Sequence, residues 1–129
     1  MKNQAHAYAQ AVSQFRVWAA QGNPEAMYKL GQFYETGQAV PKNMAEAARW
    51  YRKAAGKGEL SAMARLGVLH GNGYGVLKDR IEALFWFLSA RKLGAGGLDK
   101  TVEKLRSLMN AEEIALAEGR AENWKPEKA

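Results

Sequence analysis

Two histidines, four serines and one glycine-rich loop are where catalysis would have to begin in this chain of 129 residues. His6 has no acidic residue nearer than Glu25, and the chain has no cysteine, whereas a metal site needs three or four converging ligands. His70 falls at a packing position of its segment and reads as a partly buried, space-filling group. Ser13, Ser61, Ser89 and Ser107 each lack a neighbouring base, and none sits in the G-x-S-x-G context of a hydrolase nucleophile. Glu112 and Glu113 are adjacent in what reads as the first turn of a helix, where the helix dipole favours negative charge without any chemistry. The segment GNGYG at 71–75, with Lys78 beyond it, imitates a phosphate loop, but a phosphate loop follows a strand and ends in Lys-Ser/Thr. Here the loop follows a helical pattern and Asp79 stands where the hydroxyl would be. No catalytic residue, metal or cofactor is therefore expected, and the chain does not read as an enzyme.

The elements that carry these residues repeat. Residues 22–57 align without a gap on 58–93 at an offset of 36, with identities that include Ala26/Ala62, Leu30/Leu66, Gly31/Gly67, Gly37/Gly73, Ala47/Ala83 and Trp50/Trp86. Extended backwards, the register sets Ala11, Phe15 and Ala19 over Ala47, Tyr51 and Ala55; extended forwards, it fails within AGAGGLDK. This predicts one domain over 1–124, made of a partial unit (5–21), two full units (22–57 and 58–93) and a divergent capping unit (94–124). Residues 125–129 are expected to form a frayed tail.

Each unit reads as two antiparallel helices. Asn23 followed by Pro24 is a helix start, with a capping side chain and proline at the first helical position. Ala26, Met27, Leu30, Gly31 and Tyr34 share one side of that helix until Gly37 stops it. Asn43 with Glu46, Asp79 with Glu82, and Asn110 with Glu113 have the spacing of capping boxes. Asp99 reads as the cap of a helix through Leu108. The sum is an all-α solenoid of about seven helices. Gly31 and Gly67 cost each helix about 1 kcal/mol relative to alanine, so their recurrence predicts a close approach by a neighbouring backbone, lined on its far side by Ala47, Ala54, Ala83 and Ala90. Trp18, Trp50, Trp86 and Trp124 are all expected to be substantially buried.

The two units resemble the Sel1-like repeat, a relative of the tetratricopeptide repeat. The likeness lies in the Leu-Gly pairs at 30–31 and 66–67, the aromatic three after the first pair at Tyr34, the linker glycine and valine, the alanine before Trp50-Tyr51 and the closing glycine. It implies a helical solenoid that holds proteins or peptides, mostly without catalysis. The second unit departs from the pattern at His70 in place of Tyr34, Leu77 in place of Pro41 and Arg91 in place of Ala55.

A partner is expected on the first helix of each hairpin, because one set of helices lines the inner face of a curved array. With the apolar stripe buried, Glu25, Lys29 and Gln32 point outward, with Tyr28 and Glu35 at the flank; the second unit offers Ser61, Ala64, Arg65, Val68 and Asn72. The reading is a protein- or peptide-binding adaptor, with a self-associating module, a homodimer through an end helix, as the rival. Of the formal charge of +6, most comes from residues 42–92, where ten basic residues stand against four acidic ones. Arg49, Arg52, Lys53 and Lys57 spread over the outer side rather than a groove with aromatics, which disfavours nucleic acid. No segment is long and apolar enough to span a membrane. The start carries no signal-peptide pattern, so a cytoplasmic location is expected if Met1 is the native start, and a periplasmic or secreted one if a leader was trimmed.

Overall fold

The computed structural model describes the backbone of residues 2–127 and the side chains of residues 4–127. Among the described residues there are seven helices and no strand: α1 (Lys2–Ala20), α2 (Pro24–Thr36), α3 (Met44–Gly56), α4 (Leu60–Asn72), α5 (Arg80–Lys92), α6 (Asp99–Ser107) and α7 (Ala111–Asn123). Helix α1 packs on α2, α3 lies between α2 and α4, and α5 packs against α4, α7 and, less extensively, α6. The chain is a solenoid of helical hairpins.

Local chemistry explains the boundaries. The Asn23 side chain accepts from the Ala26 N–H at 3.0 Å with Pro24 at the first turn, and in the second unit Glu59 plays the same part toward Ala62. Gly37 and Gly73 close α2 and α4 with φ of 76° and 72°, a left-handed conformation that costs glycine nothing. Asn43 and Asp79 cap α3 and α5, each accepting from the backbone three residues on. Neither forms the expected reciprocal box, because the N–H that Glu46 or Glu82 would hold already donates across the hairpin, from Asn43 to the Tyr34 carbonyl and from Asp79 to the His70 carbonyl, both at 2.9 Å. Only Asn110, where no hairpin carbonyl serves its N–H, completes the box with Glu113. Asp99 does not cap α6. It lies in the first turn and takes a hydrogen bond from Arg91 at 3.1 Å.

The repeated glycines do admit a close neighbour, but it is an aromatic ring rather than a backbone. A Cβ built on Gly31 would lie 2.5 Å from Tyr51 Cε1, and one on Gly67 would lie 2.7 Å from Phe87 Cε1. The partner helix therefore sets a ring against its neighbour's backbone, while Ala47, Ala54, Ala83 and Ala90, all fully buried, let the axes close up around it.

The four tryptophans do not share one fate. Trp86 is 6% exposed, Trp50 and Trp124 are half-buried, and Trp18 is 42% exposed, contrary to expectation. Helix α1 has a packed neighbour on the α2 side only, so nothing covers the face that carries Val17 and Trp18. At the other end, α7 lies across α5: Trp124 meets Trp86 edge-on at 5.5 Å, Arg120 covers the Phe85 ring at 4.3 Å, and Arg120 also pairs with Glu82 at 2.9 Å. Residues 125–127 are not frayed. The Glu127 N–H donates to the Gly56 carbonyl at 2.8 Å, and Pro126 seats against Gly58, which ties the end of the chain to the α3–α4 turn. Residues 128–129 lie outside the described residues.

Candidate protein-binding face

Helices α2 and α4 both pack on α3, and a carboxylate bridges them. Glu35 on α2 accepts from the Tyr51 hydroxyl at 2.6 Å and from Arg65 Nε at 3.0 Å through Oε1, while its Oε2 takes Arg65 Nη2. This is a two-pronged guanidinium–carboxylate pair, the geometry in which arginine binds carboxylate best. The Tyr51 ring in turn lies 5.7 Å from Tyr28, whose hydroxyl accepts from Gln32 Nε2 at 3.0 Å. Three helices thus meet in one chain of contacts running from Gln32 through Tyr28, Tyr51 and Glu35 to Arg65.

The electrostatics follow from this pairing. Burial works to raise the Glu35 carboxyl, but the hydrogen bonds from Arg65 and Tyr51, with the charge of Arg65, outweigh it and hold the group below the ordinary 4.5. Burial, then the hydrogen bond to Glu35 and its charge, push the Tyr51 hydroxyl well up. The hydrogen bond to Glu35 raises Arg65, against the opposing effect of its burial. With both oxygens of Glu35 engaged, the cluster is a clamp between repeats and has no proton acceptor waiting for a substrate.

Of the expected partner residues, the structure brings Tyr28, Gln32, Glu35 and Arg65 together in this network. Glu25, Ser61 and Asn72 are exposed, and Lys29, Ala64 and Val68 are half-buried on the same two helices. Asn72 donates to the Val68 carbonyl of its own helix at 3.0 Å. Tyr51 belongs to the site and is not among the partner residues expected from the sequence. Its signal was present: the register puts Phe87 opposite it, and a buried tyrosine in place of phenylalanine needs a partner for its hydroxyl.

Elsewhere most polar side chains bond locally, although His70 Nδ1, Ser89 Oγ and Arg106 Nε are buried without a partner among the described residues. His70 is buried, with Nε2 3.1 Å from Arg52 Nη2. A guanidinium only donates, so Nε2 is the acceptor and the proton sits on Nδ1. Arg49 pairs with Glu46 at 3.3 Å, and Lys53 lies 4.7 Å over the Trp50 ring. The outer basic residues are thus spread among separate internal partners. No described helix is long and apolar enough to cross a membrane, and among the described residues no group of three or more His, Asp or Glu is placed to hold a metal ion.

Stacked helical hairpins with a packed glycine per unit define a helical-repeat solenoid. The family model of the Sel1 repeat matches residues 24–59 and 60–94, more than half of the chain, which therefore belongs to the Sel1 repeat family. Its fold is similar to that of a protective antigen present in uropathogenic Escherichia coli strains displaying an SLR fold, with 31% identity and a TM-score of 0.83 over 88% of this chain and 24% of the other. A Sel1 repeat protein from Oxalobacter formigenes is 32% identical, with a TM-score of 0.70 over 82% of this chain and 42% of the other. The chain thus spans about a quarter of the first protein and under half of the second. No curated protein matches the sequence. Repeats of this family serve generally in protein–protein interaction.

Proposed function

We propose that the chain is a non-catalytic adaptor that holds a protein or peptide on the face formed by α2 and α4. The observation that carries this reading is the Glu35–Arg65–Tyr51 clamp, which ties two successive first helices into one surface and leaves on it Glu25, Lys29 and Ser61, whose side chains hold no bond among the described residues. A preformed surface binds at lower ordering cost than a mobile one. Because Tyr28, Gln32, Glu35 and Arg65 hold one another, replacing them would test the clamp and the partner together.

The better test replaces residues that hold nothing. Glu25→Lys, Lys29→Glu and Ser61→Arg together should abolish capture of partners by the tagged protein in extracts of its native cell while keeping its helical fold, at a cost of about 1 kcal/mol for the cations placed in the first turns of α2 and α4. Partners retained at full yield would overturn the reading. Partners lost only when Arg49, Arg52 and Lys53 are neutralised would move the site to the outer side. Steep weakening with salt together with captured nucleic acid would replace a protein partner by a nucleic-acid one.

A further inference from the structure

The place that the clamp fills in the first unit recurs 36 residues later with every member changed. Tyr28 becomes Ala64, Gln32 becomes Val68, Glu35 becomes Gly71, Tyr51 becomes Phe87 and Arg65 becomes Thr101. The packing confirms the equivalence beyond the point where identity fades, since Leu30, Leu66 and Val102 are all fully buried at the same register. Five side chains that bridge α2, α3 and α4 are thus replaced by small or apolar groups between α4, α5 and α6. What remains there is an open cleft of about 300 Å³. Its floor is Phe87 with Gly67 and Gly71, and its walls are Val68 and Leu108, the latter 54% exposed. The rim carries Asn72, Thr101 and Lys104, all exposed, and among the described residues Lys104 has no carboxylate partner.

We propose that this cleft is the anchor pocket of the binding face, taking one large apolar side chain, phenylalanine or leucine, from a partner peptide whose next residue is acidic and pairs with Lys104. The volume lies at the small end of ligand pockets and is apolar at the base, as a side-chain anchor requires. Val68 and Leu108 are half-exposed hydrophobic walls that gain by being covered. The acidic neighbour follows from the charge at the rim: a cation with no internal partner beside an apolar floor favours a carboxylate one residue from the anchor. This inference rests on the reading of α2 and α4 as a protein-binding face and names what that face recognises.

The probe is N-acetyl-Phe-Glu-amide, titrated into the full, isotope-labelled chain and followed by amide chemical shifts. Saturable shifts should gather at Val68, Gly71, Asn72, Thr101, Lys104 and Leu108, with a dissociation constant on the order of a millimolar for so small a ligand. N-acetyl-Ala-Glu-amide and N-acetyl-Phe-Lys-amide should each bind about five-fold or more weakly, and Lys104→Glu should reverse the preference between Glu and Lys. The combined variant Gly71→Glu, Phe87→Tyr, Thr101→Arg rebuilds the clamp in the second unit and should remove the shifts. Leu108→Glu, at an exposed position, is the second blocking variant should that one fail to fold. Absent or scattered shifts, equal binding of the Glu and Lys dipeptides, or binding that survives Leu108→Glu would overturn the pocket. Dipeptide binding here with partners still captured by the Glu25, Lys29, Ser61 variant would instead overturn the wider face and leave the pocket standing.

Discussion

Helices α3 and α5 occupy equivalent places in successive units and turn different chemistry outward. On α3 the residues facing away from the hairpin are Arg49, Arg52 and Lys53, all exposed; on α5 the same positions are Phe85, Leu88 and Ser89, all buried. The two helices share the skeleton that makes the hairpin: the alanines, the tryptophan, the ring over a glycine and the capped first turn. Their sharpest difference falls where the next layer arrives. Helix α3 meets solvent on that side, while α5 receives α7 and Trp124. In a repeat protein the shared positions build the unit, and the unshared ones record what lies against it.

The first way to break this comparison is at the tryptophans. Trp86→Ala removes a ring buried under α7 and should cost about 4 kcal/mol in a denaturant melt, whereas Trp50→Ala, at the same register but half in solvent, should cost about 1 kcal/mol. Equal losses would mean that α7 does not cover α5 in solution.

A smaller contrast sits in the linkers, at positions 39 and 75. Both have positive φ, 62° at Ala39 and 73° at Gly75, but a Cβ on Gly75 would run into the Met44 carbonyl of the preceding unit. Gly75→Ala should therefore destabilise by about 2 kcal/mol, through strain plus that collision. Ala39→Gly relieves a left-handed alanine and should stabilise by about 0.5 kcal/mol, the relief being partly offset by the freer unfolded chain. Opposite signs are the expected outcome of the paired melts, and the same sign at both would refute the account of the linker.

A third contrast concerns the clamp, which the second unit lacks. Glu35 titrates lower in the folded chain than its ordinary 4.5, so its contribution is complete above that value and fades as pH falls through the lower folded value. Glu35→Gln should cost on the order of 1 kcal/mol at neutral pH, after allowance for the solvent that still reaches the pair. The gap between the two proteins should close as pH falls below 4.5 and through the lower folded value. A gap that stays constant through the acid range would show that the carboxylate charge is not what joins the repeats. Gly71→Glu and Gly71→Gln, with no arginine at 101 to meet either, should gain the same helix propensity and show no such pH-dependent gap between them.

The residues alone determined the helices, their starts and stops, the 36-residue register and the presence of something pressed against Gly31 and Gly67, because each depends on neighbours a few positions away. Periodicity, a capping side chain and a left-handed glycine are local and survive in any context. Tertiary structure decided the rest. The match of Glu35 with Arg65 spans 30 positions and depends on two helices that both pack on α3, so the sequence showed both as surface residues and neither as the other's partner. Trp18 and Trp86 have the same residue type and similar helical surroundings, and only the arrival of α7 at one and of nothing at the other separates them. One signal was available and unused: ALFWFLSA in α5 is apolar all round, as a helix covered on every side must be. Which helix would cover it was beyond the sequence, since the free energy of burial rewards any apolar neighbour, and the connections of the whole chain choose which one reaches it.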